Sequence, residues 1–180
     1  MAINNNPKLS RSFYIKDTLT VANQMLGKFL VHNTPEGQTV GMIVEVEAYI
    51  GPDDQAAHSY NGLRSKRTEV MFGEGGFAYV YLIYGMHTCF NIVSNEMNKP
   101  EAILIRALEP ISGLDLMKKR RKTNLVSNLC NGPGKLCQAM GITGMNYGED
   151  LCGNTLYLLD NSYLDDKDMV ATKRINIDYA

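Results

Sequence analysis

The chain has 180 residues, a net charge of −1, four cysteines and three histidines. That length fits one domain with a proper core, while the near-neutral charge argues mildly against a nucleic-acid partner, because such proteins usually carry a basic surplus. No apolar run is long enough to cross a membrane, the N-terminal MAINNNPKLSR lacks a signal-peptide pattern, and neither the cysteines (Cys89, Cys130, Cys137, Cys152) nor the histidines (His32, His58, His87) have metal-ligand spacing, so no membrane, no secretion, no metal and no cofactor are expected.

Pro7 to Ser12 reads as a flexible lead, so that residues 1–12 stand apart from the domain. Thr18 can cap a helix running through Val21, Ala22, Met25 and Leu26, with Gly27 near its end. Phe29, Leu30 and Val31 begin a strand. Thr34-Pro35-Glu36-Gly37 turns it, and a second strand from Val40 returns antiparallel. In that strand Met42, Val44, Val46, Ala48 and Ile50 share one parity, and Gly41, Ile43, Glu45, Glu47 and Tyr49 share the other. Alternation of this kind predicts a half-buried strand ended by Gly51-Pro52-Asp53-Asp54. Two readings of the face bearing Glu45, Glu47 and Tyr49 stand open. It is a polar face turned to water, or it is the wall of a pocket that also takes in His58.

Tyr60 to Glu74 reads as a long loop, and loops of that length in compact domains are usually functional or mobile. Its Arg64, Lys66 and Arg67 meet either phosphate or solvent. Phe77 to Ser94 then predicts a hairpin about Tyr84-Gly85-Met86-His87, with Tyr79 and Tyr81 on one face of its first strand. A tip bearing Tyr and Met either folds back on the core or is a wedge that enters something apolar, such as a base stack.

Ala102 to Leu108 is an apolar strand interrupted by Arg106 and stopped by Pro110. Burying a lone charge is costly, so Arg106 points outward at an edge or meets a carboxylate, with Glu45 and Glu47 the candidates. Leu114 to Lys122 forms a short basic helix. Gly132-Pro133 opens another that ends at Gly141. Its free N–H groups around Gly134, with Lys135, are a weak phosphate signal, and no Walker loop is present. Two further strands are expected, Thr155 to Leu159 and Met169 to Ile177.

Four blocks now carry a resemblance: VEVEAYIGPDDQAAHS, YVYLIYGMHTCFNI, ILIRALEP and NGPGKLCQAMGI. In this order they strongly resemble the alkyladenine (3-methyladenine) DNA glycosylase family, from about Phe13 to about Ile177. The resemblance implies an α+β fold: one compact domain, 1–180, with a curved antiparallel sheet, peripheral helices and a protruding β-hairpin. It implies a monomeric, monofunctional enzyme without lyase activity, acting on double-stranded DNA that contains a damaged purine. The compartment expected is a cytoplasm in a bacterium and a nucleus in a eukaryote.

Residue by residue, the first block matches Glu47 to the general base that activates water, Tyr49 to the tyrosine that stacks on the flipped base, and His58 to the histidine at its edge. The second matches Tyr81 to the opposing wall, Tyr84 to the intercalating residue and Asn91 to the pocket asparagine. Arg106 matches the arginine that helps hold the water. Near the end, Ile175 matches a residue whose backbone carbonyl touches it. A lesion such as hypoxanthine, neutral rather than cationic, needs an acid, and no residue is matched to that role. The family pattern has Gly where Asn176 stands, and it continues past the last strand with a basic segment, so relative to it this chain looks truncated. The alternative is a relative that binds lesions without cutting. A zinc deaminase, a third reading, lacks support, since H-x-E and P-C-x-x-C are absent.

Overall fold

The computed structural model describes residues 6–161 and 164–179. Its order is α1 (Arg11–Tyr14), α2 (Thr18–Met25), β1 (Phe29–Thr34), β2 (Gly37–Tyr49), β3 (Ala78–Ile83), β4 (His87–Ser94), β5 (Glu101–Ser112), α3 (Leu114–Arg121), α4 (Pro133–Met140) and β6 (Leu156–Leu159), with single 3₁₀ turns between them. The six strands form one curved antiparallel sheet in the order β3-β4-β5-β2-β1-β6. This is the α+β arrangement expected. Among the described residues no helix is long and apolar enough to cross a membrane.

The main core lies between the helices and one sheet face. Val21 and Met25 of α2, Met117 of α3 and Leu136 and Met140 of α4 meet Leu30, Ile43, Val80, Phe90, Ile92, Ile103 and Ile105. The strand residues of opposite parity fall on the other face. There Met71, Tyr79, Val93 and Ala102 form a small cluster of their own. Cys89, Cys130 and Cys137 are buried free thiols and Cys152 is half-buried.

The alternation of β2 does not run through as read from the sequence. Ile43 pairs with Leu108, Glu45 with Ala107 and Val46 with Ile105. Two steps on β2 are therefore matched by one on β5, and the next single step by two. Val44 and Arg106 are the extra residues of two opposed bulges. A bulge re-aims side chains. Before it Ile43 faces the helices, and after it Val46 and Ala48 do. Met42 packs on the opposite face with Phe29, Val31 and Val40, and Val44 is left exposed.

Five further expectations are corrected. The segment from Pro7 to Ser12 is not a loose lead. Lys8 bridges to Leu159, Leu9 is buried, its N–H reaches Leu158 O, and α1 begins at Arg11. Residues 1–5 lie outside the described residues. The cap of α2 is Asp17, whose carboxylate accepts the Thr20 N–H at 2.9 Å, while the Thr18 hydroxyl is turned to Ser94 and Glu101. Pro110 does not stop β5, which runs to Ser112. Pro110 lies beside a register shift, where a missing N–H costs little. Tyr60 to Glu74 is not structureless, for it contains turns at Tyr60–Gly62 and Glu69–Phe72. Finally, Met169 to Ile177 forms no strand. It meets β2 through the Arg174 side chain on Ala48 O and the Ile175 N–H on the Glu47 carboxylate instead of by strand pairing.

Candidate active site

Strand register assembles the site. Glu47 on β2 stands opposite Leu104 on β5, Leu104 opposite Asn91 on β4, and Asn91 opposite Tyr79 on β3. One row across four strands thus carries a carboxylate, an amide and a phenol on the face away from the helices. Tyr49 and Tyr81 follow two residues along their strands, on the same face, as the period of a strand requires.

Glu47 is only 6 % exposed. Its Oε2 accepts from the Tyr49 hydroxyl at 3.0 Å, and its Oε1 accepts the Ile175 N–H at 2.8 Å. Arg106 Nη1 lies 3.5 Å from that same Oε1, while Arg106 Nε donates to Glu45 at 3.1 Å. The bulge that makes Arg106 an extra residue also aims it at the two carboxylates. Of the open readings, Arg106 is paired rather than turned outward, and Glu47 and Tyr49 border a pocket while Glu45 stays partly exposed. Burial first, and the Glu47 charge second, drive the Tyr49 phenol well above its usual range.

These residues border a cleft of about 710 Å³, lined also by His58, Tyr79, Tyr81, Asn91, Gly134, Lys135 and Ile177. Tyr79 and Tyr81 lie side by side at 5.3 Å between ring centroids, and His58 meets Tyr81 edge-on at 4.7 Å. His58 Nδ1 is 2.8 Å from the Tyr79 hydroxyl, and His58 Nε2 is 3.3 Å from Arg67 Nη2. Burial, helped by the Arg67 charge, brings His58 down to about 4, so it is neutral at physiological pH. Burial likewise pushes Tyr79 up to about 12. A larger hollow of about 1190 Å³ lies between α2, β2 and residues 164–178. No aromatic ring is among its described lining residues, so it offers no stacking surface for a planar ligand.

The hairpin tip stands clear of the body. Tyr84 is 85 % and Met86 74 % exposed. The fold-back reading is therefore wrong. Tyr84 also has φ of +53°, uncommon for a bulky residue, and strain of this kind tends to persist where a side chain must be presented. Asn176 has φ of +59°, the left-handed region that glycine enters freely and that asparagine enters more readily than most other residues. Asn can thus occupy the position where the resembling pattern has Gly.

The five candidate phosphate contacts do not form one cluster. Arg64 is bound to Glu69 by two hydrogen bonds, at 2.6 and 3.0 Å. Lys66 is exposed, and its carbonyl accepts from Tyr147. Arg67 covers the Tyr81 ring at 4.8 Å. Gly134 and Lys135 line the cleft, where Gly134 packs on His87 and Lys135 Nζ donates to Asn128 and Asn131.

Three participants were given no site role from the sequence. Tyr79 supports His58, and its parity with Tyr81 was the available signal. Asp54 and Arg174 had none. Arg174 donates to both Asp54 oxygens, at 2.9 Å to Oδ1, reaches Ala48 O and covers the Tyr49 ring at 4.9 Å. That pair anchors the segment whose next residue, Ile175, binds Glu47.

Comparison with known proteins identifies the family. The family model described as Methylpurine-DNA glycosylase (MPG) matches residues 12–180. Curated relatives named "Putative 3-methyladenine DNA glycosylase" include one from Desulfitobacterium hafniense, 49 % identical over 96 % of this chain and 89 % of its own length. One from Clostridium novyi is 48 % identical, with coverage of 96 % and 89 %. One from Bacillus mycoides is 51 % identical, with coverage of 94 % and 88 %. The chain belongs to the methylpurine-DNA glycosylase family.

Proposed function

We propose that this member of the methylpurine-DNA glycosylase family acts as a single chain on double-stranded DNA. It turns an alkylated purine of the 3-methyladenine type, and also hypoxanthine, out of the helix and hydrolyses its N-glycosidic bond. The supporting observation is the position of Glu47, a nearly buried carboxylate held by Tyr49, Ile175 and Arg106 at the edge of a tyrosine-lined cleft.

In this reading the exposed Tyr84 enters the base stack and fills the gap left by the flipped nucleotide. The flipped base lies in the cleft with Tyr49 and Tyr81 as its walls, His58 at its edge and Asn91 beneath. Stacking on an aromatic wall recovers about 1–3 kcal/mol per base. Unstacking costs a few kcal/mol, and least for a damaged or mispaired base. Selection therefore begins with how easily a base leaves the duplex.

Glu47 then takes a proton from water as the water oxygen bonds to C1′, and the bond to the purine nitrogen breaks with its electron pair on the base. A carboxylate oxygen has two lone pairs. Oε2, which among the described residues accepts only from Tyr49, can still accept from a water. Arg106, shared between Glu45 and Glu47, holds that carboxylate in place. In this reading water is the nucleophile, no covalent bond forms between enzyme and sugar, and no lyase step follows.

The test is base release from duplexes each carrying 3-methyladenine, 7-methylguanine, hypoxanthine or ethenoadenine. Release by the native chain and none by Glu47→Gln supports the reading. Binding without release by the native chain identifies a lesion binder instead.

A further inference from the structure

The arginines on the two tyrosine walls differ. Arg174 covers Tyr49, but its charge is matched by Asp54. Arg67 covers Tyr81 at 4.8 Å and has no carboxylate partner among the described residues. Arg67 is not among the described residues that line the cleft, whereas Tyr81 and His58 are. Its guanidinium lies against the Tyr81 ring, and the residue is exposed to solvent.

Its second contact defines the state of His58. A guanidinium can only donate, so His58 Nε2, at 3.3 Å from Arg67 Nη2, must accept. A ring nitrogen that accepts carries no hydrogen. In the neutral ring the hydrogen is then on Nδ1, which donates to the Tyr79 hydroxyl at 2.8 Å. The titratable and charged groups facing His58 are Arg67, Tyr79 and Tyr81. Both ring nitrogens are committed to protein atoms, and neither has a proton to give to a base in the cleft.

Resting on the glycosylase reading above, we infer that Arg67 is a specificity-determining positioning residue. It locks His58 as the Nδ1–H tautomer, and it sets a positive potential against the Tyr81 ring that favours electron density arriving on the departing base. Bond cleavage leaves the glycosidic electron pair on the purine. A neutral lesion goes from uncharged toward an anion, which takes its proton from solvent after leaving. A cationic lesion goes from +1 toward neutral. A fixed cation stabilises the first transition state relative to free substrate and disfavours the second, in which part of the positive charge remains. The unmatched charge thus tilts the site toward neutral purines and replaces part of what an acid would do.

The test is kcat/KM on duplexes with hypoxanthine and with 7-methylguanine, for the native chain, Arg67→Met and Arg67→Lys. Arg67→Met is expected to lower the hypoxanthine-to-methylguanine ratio by about five- to tenfold, mainly by losing rate on hypoxanthine. Arg67→Lys should restore part of it, since the charge stays. Nitrogen-15 NMR should find His58 as the Nδ1–H tautomer in the native chain and a mixture in Arg67→Met. An unchanged ratio in Arg67→Met, no rescue by lysine, or a native Nε2–H tautomer would each overturn the inference. If the native chain releases neither of these bases nor 3-methyladenine, the glycosylase reading fails, and the tautomer measurement still decides what Arg67 does to His58.

Discussion

The Ile175 N–H donates to Glu47 Oε1 across 2.8 Å, joining residues 128 positions apart. A segment without regular structure thereby helps to position the central carboxylate of the site. Arg174, its neighbour, is the anchor, through Asp54.

Glu47→Gln keeps the size of the side chain and removes its ability to take a proton. Excision is expected to fall by at least about 10²–10⁴-fold, the usual contribution of a positioned base. Lesion binding should stay nearly unchanged, because the stacking walls remain. Single-turnover base release alongside a gel shift reads both, and substantial excision by the variant would remove Glu47 from its role.

Arg106→Gln removes the cation shared by Glu45 and Glu47. Glu47 keeps Tyr49 and Ile175, so the carboxylate stays in the site but less firmly directed. Excision is expected to drop by about tenfold to a hundredfold, less than for Glu47→Gln. A rate equal to the native chain would show that the bulged arginine serves packing alone.

Tyr84→Ser removes the exposed ring at the hairpin tip. A residue this exposed adds little to packing, so thermal stability should change by less than about 0.5 kcal/mol. Lesion affinity should weaken by about tenfold, corresponding to one lost stack. Affinity of the native chain should also fall as salt rises, in line with phosphate neutralisation. Equal affinities of native and variant chains for lesion duplex would count against a wedge.

The Asp54–Arg174 pair predicts an asymmetry. Asp54 is the more buried partner, with its side chain 5 % exposed against 20 % for Arg174. Arg174→Met leaves a buried carboxylate without its cation and should cost about 3 kcal/mol. Asp54→Asn leaves a more accessible arginine and should cost less. Urea titrations of the two variants read the order. Equal costs would mean that the carboxylate is better solvated than its burial suggests.

The same pair gives a pH dependence. Burial alone would raise the Asp54 pKa, but hydrogen bonds from Arg174 and from the Ala56 and Ile50 N–H groups outweigh it and hold the carboxyl below its ordinary range. A group whose pKa is lower in the folded state stabilises above its unfolded value, about 3.9 for Asp, and loses that contribution as pH falls through the folded value. The native chain should therefore lose stability below about pH 4 more steeply than Arg174→Met. Parallel curves would show that this pair carries none of the acid sensitivity.

Much of the fold was legible because its signals are local. Gly132-Pro133 opens α4 and Gly141 closes it, since Pro suits a first helical position and Gly adopts the left-handed cap, here at φ of +76°. The Thr34 to Gly37 turn and the hairpin about Gly85 were readable for the same reason, and Glu47, Tyr49 and Tyr81 could be named from the two blocks that contain them. The last predicted strand was not legible correctly. Met169 to Ile177 has the composition of a strand, but a strand exists only where a neighbouring backbone offers it hydrogen bonds.

By itself the sequence determined which residues were available: the alternating strands, the capped helices, two glutamates and a tyrosine on one strand face, an aromatic hairpin. Only the tertiary structure decided how they meet. Paired bulges at Val44 and Arg106 switch the parity of β2 and turn the arginine onto Glu45 and Glu47, and residues 120 positions apart, Asp54 and Arg174, close the site. The reason is physical. Side-chain direction along one strand follows from its own backbone, whereas register, bulges and ion pairs depend on a partner strand or segment whose distance along the chain leaves no trace in the local pattern.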